Sequence, residues 1–123
     1  IAELRDLLAH LGHELRTVEI PGHALHLTSI TSTPTDSVLL VPEGYLPANA
    51  FGALPDGCEI KWMPKEEAYG CNTIGLANGQ VLVAEGYPTV LTTIKSMGLE
   101  PVVLDMSQIR AADGSLTCCS LFY

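Results

Sequence analysis

Ile1, Leu4, Leu8, Leu11 and Leu15 recur at spacings of three and four. That spacing lays one apolar stripe along a helix of about four turns, with Glu3, Arg5, Asp6 and His10 facing away from it. Gly12 falls inside the stripe and is expected to end the helix early or kink it. Residues 16–20 read as extended, and Pro21-Gly22 interrupts them. Leu25 to Thr31 alternates loosely and predicts a strand. Thr33-Pro34-Thr35-Asp36 predicts a turn, and Val38 to Val41 a second apolar strand. Cys71 to Ala77 and Val81 to Ala84 predict two strands joined at Asn78-Gly79, a pair that favours a type I′ hairpin turn. Val90, Leu91, Ile94 and Met97 then mark a helix, and Leu116 to Tyr123 a trailing strand.

These elements repeat. Val41-Pro42-Glu43-Gly44-Tyr45 returns as Val83-Ala84-Glu85-Gly86-Tyr87, 42 residues later, and each copy is followed by a proline (Pro47, Pro88) placed for the first turn of a helix. Gly12-His13-Glu14, Gly57-Cys58-Glu59 and Gly98-Leu99-Glu100 each stand between a helical and an extended stretch. The unit is strand, hairpin strand, helix, strand, in about two copies with flanking elements. A period of this length points to modules that bury their faces against neighbours. Both ends of the chain fall inside a module, and it begins at Ile1 rather than Met, so the expectation is a chain truncated upstream.

The 123 residues are 47% hydrophobic, enough for one core and too few for two. Six Lys and Arg against 14 Asp and Glu give a formal charge of −8. Nucleic acid and anionic lipid need clustered cations, and the three arginines (Arg5, Arg16, Arg110) are scattered, so neither is expected as a partner. No membrane-spanning run or signal peptide is expected. Of the four cysteines, none forms a C-x-x-C pair, and Cys118 and Cys119 are adjacent. Reduced thiols in a cytoplasmic protein follow.

Candidate chemistry is sparse. His23 or His26 with Cys118 or Cys119 could supply a thiolate nucleophile and an imidazole to manage protons, although on spacing alone a packed or solvent-facing histidine and a filler cysteine are the commoner reading. His10 and His13 lack a third metal ligand, and Glu66-Glu67 reads as a solvated loop before a strand.

More specific is a set of segments in order. Ala24-Leu25-His26-Leu27-Thr28-Ser29 resembles the catalytic-histidine segment of the dimethylarginine dimethylaminohydrolases, and Asp113-Gly114-Ser115-Leu116-Thr117-Cys118-Cys119-Ser120-Leu121 resembles their nucleophile segment. Pro64-Lys65-Glu66-Glu67-Ala68-Tyr69, Asn78-Gly79, Glu85-Gly86-Tyr87-Pro88 and Val103-Leu104-Asp105-Met106-Ser107 fall between them in matching order. The resemblance implies an α/β fold, a partial pentein of about two ββαβ modules from a pseudo-fivefold propeller. It makes residues 1–123 a single C-terminal half of a pentein catalytic domain.

The resemblance also implies hydrolysis of an N-methylated arginine to citrulline and a methylamine through a Cys-bound thiouronium. Cys118 is then the nucleophile, His26 the general acid and base, and the backbone carbonyl of Ala112 a contact for the substrate's amino-acid end. Cys119 would point to the opposite face of the trailing strand. No cofactor is implied, and zinc would enter only as an inhibitor at Cys118 and His26. The carboxylates that grip the guanidinium and the arginines that hold the substrate carboxylate belong to the family's other half, so this chain alone is expected to be inactive. Its exposed strand edges would drive a homo-oligomer of the fragment. Alternatives are an arginine deiminase or amidinotransferase of the same superfamily, or a non-catalytic half-pentein that binds a ligand or a subunit.

Overall fold

Leu40 and Val41 are neighbours in sequence, and both are fully buried. Adjacent strand residues point to opposite faces, so the strand that carries them is covered on both sides. Around that strand, the computed structural model describes residues 1–121.

Helix α1 (Ala2–His10) leads into an irregular stretch. A first sheet follows, β1 (Ser32–Thr35), β2 (Val38–Pro42) and β3 (Glu59–Met63), in that spatial order. A second sheet orders β4 (Ile74–Gly75), β5 (Gln80–Ala84) and β6 (Glu100–Leu104) in the same way. In each, the first pair is antiparallel and the second parallel. Helix α2 (Pro88–Ser96) makes the crossover from β5 to β6, and α3 (Ser107–Ala111) follows β6. The strand order of the repeat read from the sequence is therefore a structural one, while the helix of the unit forms only in the second copy. Gly44 and Gly86 occupy matching left-handed positions, φ +72° and +96°, after β2 and β5.

Leu40 joins Val38, Met63, Cys71, Val81, Val83, Val90 and Ile94 in a core shared by both sheets and α2. Val41, on the other face of β2, packs with Ile30 and Leu46 under the 18–30 segment. The modules meet at β1 and β4. There the Ser32 hydroxyl donates to the Cys71 carbonyl at 2.6 Å and accepts from the Thr73 hydroxyl at 2.7 Å and the Thr73 amide at 3.2 Å.

Several predicted elements are corrected. The helix expected over 1–15 stops at His10, ahead of a left-handed Gly12, and none of its residues is buried. Leu25 to Thr31 is not a strand but a single 3-10 turn, Leu27–Ser29. Of the residues read as a turn, Thr33 to Thr35 belong to β1 and only Asp36 stays in a turn; Pro34 is tolerated because an edge strand can spare its N–H. After Pro47 the chain makes isolated turns, Pro47 O to Ala50 N and Asn49 O to Gly52 N, and the left-handed Gly52 stops a helix from growing. Of the strand expected over Cys71 to Ala77, only Ile74–Gly75 forms, as β4, because Cys71 still ends a 3-10 segment, Lys65–Cys71, and Ala77 already belongs to the turn. At Asn78-Gly79 only Gly79 has positive φ, and Gly79 N bonds Leu76 O. The hairpin is thus a three-residue loop closed by a left-handed glycine rather than a type I′ turn.

Glu67 corrects another expectation. It is buried, and its two carboxylate oxygens accept the amides of Thr89 and Val90 at 3.0 and 2.9 Å. These are first-turn donors of α2, whose own preceding residue, Tyr87, supplies no side-chain cap. Glu67→Ala is expected to cost about 1–2 kcal/mol, read as a lower urea midpoint. An unchanged midpoint would mean that water caps α2 equally well.

Candidate functional site

Asn72 is 1% exposed and lies at the centre of the site. Its side-chain oxygen accepts the Thr117 amide at 3.1 Å, which fixes the orientation of the carboxamide. Its nitrogen then donates twice, to the Thr28 carbonyl and to the Thr117 hydroxyl, the latter at 2.9 Å. One side chain thereby ties the segment just after His26 to the residue just before Cys118. The partners lie 44 and 45 residues away on either side.

The tail loop is fixed at its other end by Tyr69, whose hydroxyl donates to the Gly114 carbonyl at 2.8 Å. The Arg110 guanidinium lies over the Tyr69 ring at 5.0 Å and donates to the Tyr87 hydroxyl at 2.7 Å. Burial raises the pKa of both phenols, against the lowering effect of Arg110. Asp113 (φ 58°) turns the chain out of α3, a conformation that aspartate tolerates better than most side chains. Gly114 follows because a Cβ there would come within 2.8 Å of Ile109 Cγ2.

Between the two tied segments is a cleft of about 360 Å³, lined by His23, Tyr45, Tyr69, Arg110, Asp113 and Ser115 among others. His23 packs edge-on against Tyr45, ring centroids 5.0 Å apart. His26 and Cys118 are not among its lining residues, whereas Leu25, next to His26, and Ser115, whose hydroxyl meets the Cys118 sulfur, are. His26 is exposed and extended (φ −140°, ψ 154°) ahead of the Leu27–Ser29 turn. Ala112 is exposed and closes α3.

Cys118 and Cys119 are both exposed on a 3-10 turn, Thr117–Cys119, not on a strand. Strand alternation therefore does not separate them, and the reason is that the Thr117 amide goes to Asn72 instead of a ladder partner. The last two residues of that expected strand, 122 and 123, lie outside the described residues. The Ser115 hydroxyl, 3.3 Å from the Cys118 sulfur, together with the Ser115 backbone, holds this thiol below the ordinary cysteine value. Burial and the nearby Glu67 instead push Cys71 up to about 12. Alkylation at about pH 7.5 is expected to reach Cys118 first and to spare Cys71 until the chain unfolds. Labelling of native Cys71 at the rate of Cys118 would contradict that order.

Among the described residues, no group of three His, Cys, Asp or Glu is placed to hold a metal, and no helix is long and apolar enough to cross a membrane.

No family model matches the chain. It is 29% identical over 104 residues to a dimethylarginine dimethylaminohydrolase of Pseudomonas aeruginosa, covering 83% of this chain and 41% of that protein. The corresponding enzyme of Streptomyces coelicolor is 27% identical over 123 residues, covering 98% of this chain and 44% of its own length. The solved Pseudomonas enzyme, a cysteine-to-serine variant complexed with citrulline, superposes over 99% of this chain with a TM-score of 0.77 and 25% identity.

This chain resembles the dimethylarginine dimethylaminohydrolases along almost its whole length.

It spans less than half the length of these curated relatives. Its fold is part of a pentein, like that of the solved Pseudomonas enzyme. An amidinotransferase from Microseira wollei shares that fold, with a TM-score of 0.75 at 22% identity. Another dimethylarginine dimethylaminohydrolase, solved as an adduct with S-methyl-L-thiocitrulline, superposes with a TM-score of 0.69.

The sequence reading missed Asn72 and Ser115 as site residues. Asn72 carries no local signal, since all its partners are distant in sequence. Ser115 had one, its position three residues before Cys118, the spacing at which the two meet across a tight turn.

Proposed function

We propose that this chain is the nucleophile-bearing half of a hydrolase that converts an N-methylated arginine to citrulline and a methylamine. The Cys118 thiolate attacks the guanidinium carbon. The C–N bond to the methylated nitrogen breaks, and the amine leaves with a proton from His26. A water that gives its proton to His26 then attacks the thiouronium carbon, and the C–S bond breaks to return the thiolate and release citrulline. The carbonyl of Ala112 meets the amino-acid end of the substrate.

The observation that carries this reading is the Asn72 tie, which draws the His26 and Cys118 segments together beside a cleft. The accessible, lowered thiol of Cys118 supports it. So does the likeness to relatives named for this activity, one of them solved with citrulline. The chemistry calls for no cofactor, and zinc held by Cys118 and His26 would inhibit it. A reducing, cytoplasmic setting that keeps the four thiols free belongs to the same reading.

The missing groups for the guanidinium and the carboxylate come, on this reading, from the part of the relatives' length that this chain does not span. The test is citrulline release from a methylated arginine by this chain alone and by a chimera that adds that part from the Pseudomonas relative. Release by the chimera alone, abolished by Cys118→Ala, is expected. Release that survives Cys118→Ala overturns the nucleophile. Release by the isolated chain overturns the half-site.

Leu4, Leu7 and Leu11 are 50%, 58% and 65% exposed, an apolar surface that a second copy of the chain would cover. Light scattering of the isolated chain is expected to show self-association, and a strict monomer at high concentration would exclude it.

A further inference from the structure

Ser115 is 3% exposed, yet its hydroxyl contacts two groups on a turn that is otherwise open, Thr117 Oγ1 at 3.5 Å and Cys118 Sγ at 3.3 Å. Hydroxyls can donate either way, so the distances alone leave the direction open. Asn72 settles it. Its oxygen is occupied by the Thr117 amide, so the atom facing Thr117 Oγ1 is its nitrogen, which can only donate. Thr117 Oγ1 therefore accepts from Asn72, which leaves its own proton free to turn toward Ser115 Oγ. With that proton accepted, Ser115 keeps its own to give to the Cys118 sulfur.

We propose that Asn72, Thr117 and Ser115 form a directed hydrogen-bond relay that presents a donor to Cys118 and favours the charged form of its sulfur. Ser115 and Asn72 are positioning residues, since neither reaches the reacting carbon. A buried donor aimed at an anion is worth more than one in solvent, and it stabilises the charged form of the thiol specifically. The same carboxamide holds Thr28, two residues past His26, so one buried group supports the Cys118 turn and anchors the segment that carries His26.

The ionisable groups on the elements around the sulfur are Cys119 beside it, Tyr69 on the 3-10 segment, Arg110 and Asp113 where the loop leaves α3, and His23 and His26 on the segment tied by Asn72. The hydrogen bonds from Ser115, ahead of any of these charges, set the direction of the shift.

This inference rests on Cys118 being the nucleophile, but its test needs no turnover. The rate of iodoacetamide alkylation at Cys118, followed by peptide mapping across pH, gives a midpoint for the thiol in the 123-residue chain. Ser115→Ala is expected to raise that midpoint by on the order of one pH unit, about a tenfold loss of thiolate below it. Thr117→Val keeps the shape of the turn and leaves Ser115 a proton to give, so it is expected to raise the midpoint by less.

An unmoved midpoint in Ser115→Ala, with an unchanged unfolding transition, overturns the relay. So does a shift in Thr117→Val as large as that in Ser115→Ala. If Ser115→Ala does not fold, Thr117→Val decides alone, and no shift there overturns the proposal. An unmoved midpoint beside citrulline release that depends on Cys118 sinks the relay only. Release that survives Cys118→Ala sinks the nucleophile reading instead, whatever the midpoint does.

Discussion

Gly75→Ala is expected to be the most damaging single methyl that this chain can receive, lowering stability by at least about 3 kcal/mol. The glycine is exposed by area, but the direction in which a Cβ would point is filled. The new carbon would overlap the Pro34 carbonyl oxygen and sit 2.9 Å from the Pro34 carbonyl carbon. Those are backbone atoms of β1, and they cannot swing aside as a side-chain end would. Relief requires β4 and β1 to part, which also breaks the bonds of Ser32 to Cys71 and Thr73. Gly79→Ala is the matched control. A Cβ there meets nothing within 4 Å, and only the left-handed φ of +83° is penalised, at about 1–2 kcal/mol. Urea midpoints of the two variants measure the difference directly. Equal losses would mean that the contact between modules is loose enough to absorb a methyl.

Asn72→Ala should cost about 3 kcal/mol and release both halves of the site at once. The substitution removes three hydrogen bonds and leaves the Thr28 carbonyl and the Thr117 amide without their partner. The two sheets do not depend on these bonds, so the damage should be local. The expected pattern is limited proteolysis at residues 23–29 and 113–121 under conditions where β2, β3, β5 and β6 remain protected. Cys118 alkylation should lose its advantage over Cys119 in the same variant. Unchanged cleavage at both segments, together with a stability loss below about 1 kcal/mol, would show that the tie is incidental.

The repeat was legible in the sequence because it is written in residues that answer to local backbone demands. Gly44 and Gly86, and Gly57 and Gly98, take left-handed φ at matching places, and no other residue type does so as cheaply. β2, β5 and α2 followed from apolar spacing for the same reason. Legibility failed where distant partners decide the conformation. Thr33 to Asp36 has the composition of a turn, yet β2 recruits Thr33 to Thr35 into an edge strand and leaves only Asp36 in the turn. Glu67 looks like a solvated acid until α2 presents two bare amides to it. The trailing segment has the β-branched and aromatic content of a strand, but Asn72 takes the amide that a strand would need. At the site, Cys118 and His26 were singled out by resemblance to a family. Asn72 and Ser115 were not, since a lone asparagine after a buried cysteine does not announce contacts 44 and 45 residues away in both directions.

Those separations also set the order in which the molecule can be completed during synthesis. The chain leaves the ribosome from its N-terminus, and the first sheet can close once Met63 has emerged. Thr28 then waits for Asn72, and Asn72 for Thr117, so two long loops must shut before the carboxamide has both partners. Cys118 is made immediately after that final partner. The Cys118 thiol thus acquires its surroundings only after Thr28 and Asn72 are both in place, and a chain stalled between Leu104 and Thr117 carries both sheets without that turn.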